Sequence, residues 1–110
     1  MSTANPTQQA LETQSMIFDM LNSIKLNEGN LMVLETENRR LQLTHNEVNN
    51  QHDDSILYKP VGRAYIMKTK DELLLDINNT IRRNEAELEE CRKKKEILIK
   101  RREEFIANNQ

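Results

Sequence analysis

Residues 56–67 read ILYKPVGRAYIM, and their character differs from that of the sequence on either side. The β-branched and aromatic residues of this stretch favour β-strands. Gly62-Arg63 divides it as a two-residue loop with glycine first, which is typical of a type II′ turn. Pro60 has no backbone N–H to donate, so either its strand should lie at the edge of a sheet or its backbone nitrogen should face outward. The stretch therefore predicts one β-hairpin.

A stripe of apolar residues runs through the sequence on each side of this hairpin. The spacings alternate between three and four residues, as in the seam of a coiled coil. Paired antiparallel, the two stripes stay in register from Val48 with Leu74 to Ile17 with Phe105. We therefore expect a mainly α fold, a long antiparallel two-helix coiled coil joined by the β-hairpin. The first stripe is Ala10, Ile17, Met20, Ile24, Leu31, Leu34, Leu41 and Val48, and the second is Leu74, Ile77, Ile81, Leu88, Cys91, Leu98 and Phe105.

Polar interruptions of the two stripes fall in shared layers. Asn38 should face Asn84, and Asn27 should face Lys95. The asparagine pair either sets the register of the helices or forms a solvated weak point. Gly29 lies inside the first helix, where glycine costs about 1 kcal/mol relative to alanine, so a bend or local fraying is expected there.

The element bounds follow from these patterns. The sequence predicts a single domain over residues 1–110, with a disordered tail at 1–8, helix one at 9–49, the hairpin at 56–67 and helix two at 70–107. The run Thr69-Lys70-Asp71-Glu72 is typical of a capping box at the start of helix two.

Composition argues against a large globular core and against general binding to nucleic acid or anionic membranes. Only 36% of the 110 residues are hydrophobic and 31% are charged, which suits a two-helix seam better than a globular core. The net charge of −2 gives no general attraction to nucleic acid or anionic membranes. Cys91 is alone, and no apolar signal segment follows Met1, so we expect a reducing, cytoplasmic location with Cys91 as a buried thiol.

The sequence shows no catalytic constellation. His45 and His52 lack neighbours at metal-ligand spacing, and no phosphate loop or nucleophile elbow is present. A two-helix hairpin also has no cavity in which to house a reaction. We therefore expect no enzymatic activity, no cofactor and no bound metal.

A lone β-hairpin is only marginally stable in water. This one carries many apolar side chains and two strand edges, so we expect it to pair with hairpins of other chains. The alternative is that it folds back as a cap onto Val48, Leu73 and Leu75. The residues expected to drive assembly are Leu57, Tyr58, Val61, Gly62, Tyr65, Ile66 and Met67.

Long helices flanking Tyr58-Lys59-Pro60-Val61-Gly62 and Tyr65-Ile66-Met67, followed by a capped helix start, resemble a β-type subunit of prefoldin. The run 61–67 most resembles the eukaryotic subunit 1 branch, and the specific part of the resemblance is residues 57–72. It implies a prefoldin-like fold and a hetero-oligomer of two α-type and four β-type subunits, in which the hairpins form a central barrel. It also implies an ATP-independent holdase.

The resemblance further implies that the free helix ends hold unfolded proteins, notably actin and tubulin chains, and pass them to the cytosolic group II chaperonin. Apolar residues near both chain ends exceed what a seam requires, and an open apolar surface can bind exposed hydrophobic segments. The alternative is a frayed helix end with a widened seam. The residues expected to bind clients are Leu11, Phe18, Leu21, Ile99, Phe105 and Ile106.

Parts of the sequence also fit two other functions. The basic runs 93–95 and 100–102 could make the chain a coiled-coil arm or adaptor that contacts RNA or another protein. Glutamates interleave with both runs at helical spacing, which favours a solvated, ion-paired face. A parallel homodimeric scaffold is the other alternative, and the in-register stripes and the central hairpin disfavour it.

Overall fold

Two helices and a two-stranded antiparallel sheet make up the computed structural model, which describes residues 6–108. Helix α1 is Pro6–Asn49, strand β1 is Leu57–Val61, strand β2 is Ala64–Lys68 and helix α2 is Lys70–Asn108. The hairpin lies between the two helices in sequence, so the predicted fold class is confirmed. No described helix is both long enough and apolar enough to cross a bilayer.

Helix α1 begins at Pro6, whose fixed φ and missing N–H suit the first helical position. Residues 6–8 of the predicted tail are therefore helical, and the rest of that tail lies outside the described residues. The helix continues through Gly29 without interruption. At its end the Gln51 N–H donates to the Val48 carbonyl over 3.0 Å, which tightens the last turn.

The start of α2 is capped as the sequence predicts. The Glu72 N–H donates to Thr69 Oγ1 over 3.1 Å, and the Thr69 hydroxyl donates to Glu72 Oε1 over 3.1 Å. Lys70 adds a link to the segment after α1, since its Nζ donates to the Gln51 carbonyl at 3.0 Å and to Asp53 Oδ1 at 3.1 Å. These bonds hold the two helix ends that flank the hairpin.

The hairpin turn has the predicted geometry. Gly62 has φ of +60°, and no other described residue has a positive φ. A type I′ turn would need a positive φ at Arg63 as well, so the turn is type II′. The register pairs Val61 with Ala64 next to the loop and Leu57 with Lys68 at the far end, and Pro60 lies opposite Tyr65.

The described chain divides into two compact units. The hairpin unit is residues 33–88, and the terminal unit is residues 6–32 with 89–108. In the hairpin unit, Val48, Ile77 and Ile81 form a buried cluster, and four half-buried leucines pack against it. Those leucines are Leu41, Leu57, Leu73 and Leu74.

The predicted asparagine layer is present in the hairpin unit. Asn84 Nδ2 donates to Asn38 Oδ1 over 2.9 Å, and Asn84 is 6% exposed. Because each amide satisfies the other in a partly buried site, the pair stabilises this register. The structure thus favours the register-setting interpretation over the solvated weak point.

The terminal unit buries Ile24, Leu31 and Asn27. Asn27 differs from its predicted pairing, since its Nδ2 donates to the Cys91 carbonyl over 2.8 Å. Lys95 instead places its Nζ 3.8 Å from Glu28 Oε1, near solvent. An ammonium group avoids the desolvation that burial in the seam would impose, and the buried amide takes a backbone acceptor.

Candidate functional site

The hairpin has two different faces. Side chains alternate along each strand, so the register places one set of residues on each side of the sheet. We name the first set the anchored face and the second the open face. The anchored face is Leu57, Lys59, Val61, Ala64, Ile66 and Lys68, and the open face is Tyr58, Pro60, Tyr65 and Met67.

The anchored face is tied to helix α2 by Asp76. Lys59 Nζ lies 3.3 Å and Lys68 Nζ 3.4 Å from Asp76 Oδ2, so one carboxylate binds a lysine from each strand. The hydrogen bond from Lys59 is the main cause that lowers the pKa of Asp76, and desolvation opposes it. The positive charges of Lys59 and Lys68 and the hydrogen bond from Lys68 lower this pKa further. Leu57 adds an apolar contact with the buried cluster of the hairpin unit.

The open face is uncharged and exposed. Tyr58, Tyr65 and Met67 expose 59%, 71% and 65% of their surface, and Pro60 is exposed as well. Within the described chain, the sheet contains only β1 and β2, so each strand has one unpaired edge. An apolar surface with adjoining free strand edges is suited to pairing with further strands.

The chain itself covers only the root of the hairpin. Leu57 is half-buried, whereas Val61 and Ile66 remain 48% and 45% exposed even on the anchored face. Leu75, which the cap alternative would have covered, is 60% exposed. The hairpin residues predicted to drive assembly are thus brought together on one small sheet, and all but Leu57 are exposed.

The second candidate surface lies in the terminal unit. No side chain in residues 6–23 or 89–108 is buried, and the seam residues Ile17, Met20, Leu98 and Phe105 are only half-buried. An open groove of about 460 Å³ lies there, lined by Ile17, Leu21, Arg102, Glu103, Ile106 and Ala107. The seam is therefore incompletely closed, which leaves apolar surface accessible to another chain.

The structure places the predicted client-binding residues unevenly around this groove. Leu21 and Ile106 line it, with exposures of 45% and 39%. Leu11 and Phe18 are exposed on α1 outside the lining, and Ile99 and Phe105 are half-buried on α2. The groove joins two of the six residues, and the other four lie elsewhere in the terminal unit.

Sequence reasoning missed other exposed apolar side chains and one charged anchor. The apolar ones lie off the heptad stripes, and their separate positions are ordinary for a protein surface. They are Leu26, Met32, Val33, Leu43 and Ile97. The anchor is Asp76, and the strand alternation of Lys59 and Lys68 was the signal that could have revealed a shared acidic partner.

No group of residues within 6–108 has the composition of a metal site. Cys91 is a free, half-buried thiol.

The similarity of this chain to solved structures lies in its fold. Among curated proteins, none matches the sequence. Among solved structures, the crystal structure of the prefoldin beta subunit from Thermococcus strain KS-1 matches with a TM-score of 0.81 and 19% sequence identity, over 98% of this chain and 93% of that one. At that identity the likeness shows the fold.

The sequence itself also matches a family. The model for the prefoldin subunit family covers residues 18–110, which includes most of α1, the hairpin and all of the described α2. The resemblance drawn from residues 57–72 is thereby confirmed. The chain belongs to the prefoldin subunit family.

Proposed function

We propose that this chain is a β-type subunit of a hexameric, ATP-independent chaperone. Family and fold support the role of a chaperone subunit that assembles with other prefoldin subunits. In the proposed hexamer, two α-type and four β-type subunits join their hairpins into a barrel. The terminal unit of each chain would then bind unfolded proteins.

The observation that carries the assembly proposal is the uncovered hairpin. The open face of the hairpin has two exposed tyrosines and no charged side chain. Lys59 and Lys68 lie on the anchored face, where both bind Asp76. Burial of apolar surface stabilises an interface by roughly 25 cal/mol per Å², before the costs of association. Pairing with other hairpins would bury this surface and satisfy the strand edges.

The partly open seam of the terminal unit supports client binding. A holdase must bind many sequences weakly, and this requires accessible apolar side chains that can adjust to different partners. Phe18, Leu21 and Ile106 supply exposed apolar area, and Met16 adds a flexible side chain that is 48% exposed. Clients would be held without nucleotide, as the family resemblance implies.

The finer parts of the proposal follow from family resemblance. We propose that the chain corresponds to subunit 1 of a eukaryotic-type complex and works in the cytosol. Its clients would be actin and tubulin chains, which it would pass to the group II chaperonin. The run Val61-Gly62-Arg63-Ala64-Tyr65-Ile66-Met67 supports the subunit assignment.

Assembly is tested by co-expressing the full chain with the α-type and the other β-type prefoldin subunits of the same genome. Native mass spectrometry should find one hexamer that contains this chain. A chain that stays monomeric beside an assembled complex of the others would contradict the proposal.

Client binding is tested by changing Phe18, Leu21 and Ile106 to Ser within that hexamer. The matched control changes three equally apolar, exposed residues of the hairpin unit, Val33, Leu43 and Leu75, to Ser. Light scattering then reports how well each complex suppresses the aggregation of chemically denatured actin. The terminal variant should lose suppression while the control retains it, and equal behaviour of the two would exclude the terminal unit as the client site.

A further inference from the structure

The two edges of the hairpin differ in their backbone donors. Val61 and Ala64 flank the two-residue loop, so they form a hydrogen-bonded pair. Pairs alternate from there, which makes Pro60–Tyr65 and Tyr58–Met67 the non-hydrogen-bonded pairs. The backbone N–H and C=O groups of these four residues therefore point away from the partner strand, toward the outer edges.

Pro60 removes one donor from the edge of β1. That edge presents an N–H only at Tyr58, because proline has none. The edge of β2 presents an N–H and a C=O at both Tyr65 and Met67, about 6.8 Å apart, as a regular antiparallel ladder requires. Only the β2 edge can therefore form an unbroken ladder over the full length of the hairpin.

Charge does not protect the β2 edge. Lysines often discourage edge pairing, but Lys68 is turned to the anchored face and bound to Asp76. The outward-facing residues of β2, Tyr65 and Met67, carry exposed uncharged side chains. A strand added beside β2 would meet matched backbone groups and apolar neighbours.

We propose that β2 is the principal recruiting edge of this subunit, and that it takes a strand from the hairpin of a partner prefoldin subunit. The edge of β1 forms the weaker, interrupted contact. This inference rests on the proposed function, since it names which side of the hairpin carries the assembly. Its partner is recognised by an extended backbone and an uncharged apolar face.

Proline substitutions at the non-hydrogen-bonded positions test the inference, because they delete one outward donor without removing a bond between β1 and β2. Tyr65→Pro deletes a donor from the β2 edge, and Tyr58→Pro is the matched exchange on β1. In the co-expressed complex, Tyr65→Pro should reduce incorporation by about tenfold, as expected for an unmatched acceptor in a buried ladder. Tyr58→Pro should reduce it less, and Pro60→Ala should incorporate at least as well as the wild type.

A measurement on the unmodified chain covers the case in which a proline variant fails to form its hairpin. Hydrogen exchange read at single amides should show Tyr65 and Met67 slowed more than Tyr58 when the free chain enters the hexamer. Equal protection of all three amides, or full incorporation of Tyr65→Pro, would overturn the edge assignment while leaving the proposed function in place. A wild-type chain that never enters the hexamer would overturn both.

Discussion

The seam around the hairpin is closed, and the seam near the two chain termini is not. In the hairpin unit, Val48, Ile77, Ile81, Asn84 and Leu88 are all buried. In the terminal unit, the same heptad pattern buries Ile24, Asn27 and Leu31, and residues 6–23 and 89–108 contain no buried side chain. One periodic sequence thus produces both a buried seam next to the hairpin and an accessible apolar surface.

The difference arises from what covers the seam. The hairpin unit adds Leu57 from β1 and the Lys59–Asp76–Lys68 ion pairs to the two helices, so a third element shields the layer. Two helices alone bury some seam residues, such as Ile24 and Leu31, but leave Ile17, Met20, Leu98 and Phe105 half-buried. Stability should therefore be concentrated in the hairpin unit, with binding capacity in the terminal unit.

Cavity formation should show the largest contrast between the two units. Ile81→Ala removes a side chain that is 6% exposed and should lower the free energy of unfolding by about 2–5 kcal/mol. Ile17→Ala makes the same exchange at a half-buried seam position and should cost about 1 kcal/mol or less. Urea titration followed by circular dichroism measures both, and equal losses would mean that the terminal seam is as closed as the other.

The buried asparagines should respond differently in the two units. Asn84→Leu leaves Asn38 Oδ1 without its donor and should cost about 1–3 kcal/mol. Asn27→Leu leaves only the Cys91 carbonyl, an acceptor that also receives the N–H of its own helix, so its effect should stay within about 0.5 kcal/mol.

The double variant Asn38→Leu with Asn84→Leu serves as the control for this contrast. It removes both polar partners, so it should recover most of the loss seen in Asn84→Leu. A double-mutant cycle from thermal unfolding gives the coupling between the two amides. Additive effects would show that the hydrogen bond contributes nothing to this layer.

The fold could be predicted because its determinants are periodic or local. Alternating three- and four-residue spacing specifies the seam, and Gly62 with Thr69 specifies the turn and the helix start. Asn38 and Asn84 were predictable as a pair because polar residues in both stripes shared one register. Each of these features depends on spacing or on the identity of a residue close in sequence.

The candidate sites were only partly predictable, because they depend on three-dimensional orientation. Asp76 meets Lys59 and Lys68 only through the rotation of α2 relative to the sheet, which spacing does not specify. The direction of Asn27 toward the Cys91 carbonyl depends on side-chain rotation within the seam. The extent to which a side chain such as Phe18 or Phe105 is buried depends on the side chains around it, and the heptad stripe does not specify this.

The ion-paired anchor should make the hairpin unit sensitive to acid. The pKa of Asp76 is lowered in the folded chain by the Lys59 hydrogen bond and the two lysine charges. Its stabilising effect is therefore full above the ordinary aspartate pKa of about 3.9, and it disappears as the pH falls below that value through the lowered pKa. Asp76→Asn should accordingly flatten the decline of melting temperature below about pH 4 and leave the profile above that pH unchanged in shape.

Asp54→Asn is the matched control for this pH dependence, since it neutralises an exposed carboxylate of the same unit. Its profile of melting temperature against pH should keep the slope of the wild type in the acid range. Near-ultraviolet circular dichroism of Tyr58 and Tyr65 would report the hairpin directly. An Asp76→Asn profile that overlays the wild type would show that the ion pairs do not stabilise the hairpin.

A small effect is expected from backbone entropy in exposed helix. A Cβ at Gly29 would meet no atom within 4 Å, so Gly29→Ala should stabilise α1 by about 0.5–1 kcal/mol. Ala86→Gly makes the reverse exchange at an exposed position of α2 in the hairpin unit, and should destabilise by a similar amount.

If unfolding of the terminal unit is separable, hydrogen exchange should slow in residues 6–32 for Gly29→Ala and quicken near residue 86 for Ala86→Gly. Uniform changes in hydrogen exchange along the whole chain would instead mean that the two units unfold together. The contrast in burial would then reflect a difference in accessible binding surface, and the two units would share one stability.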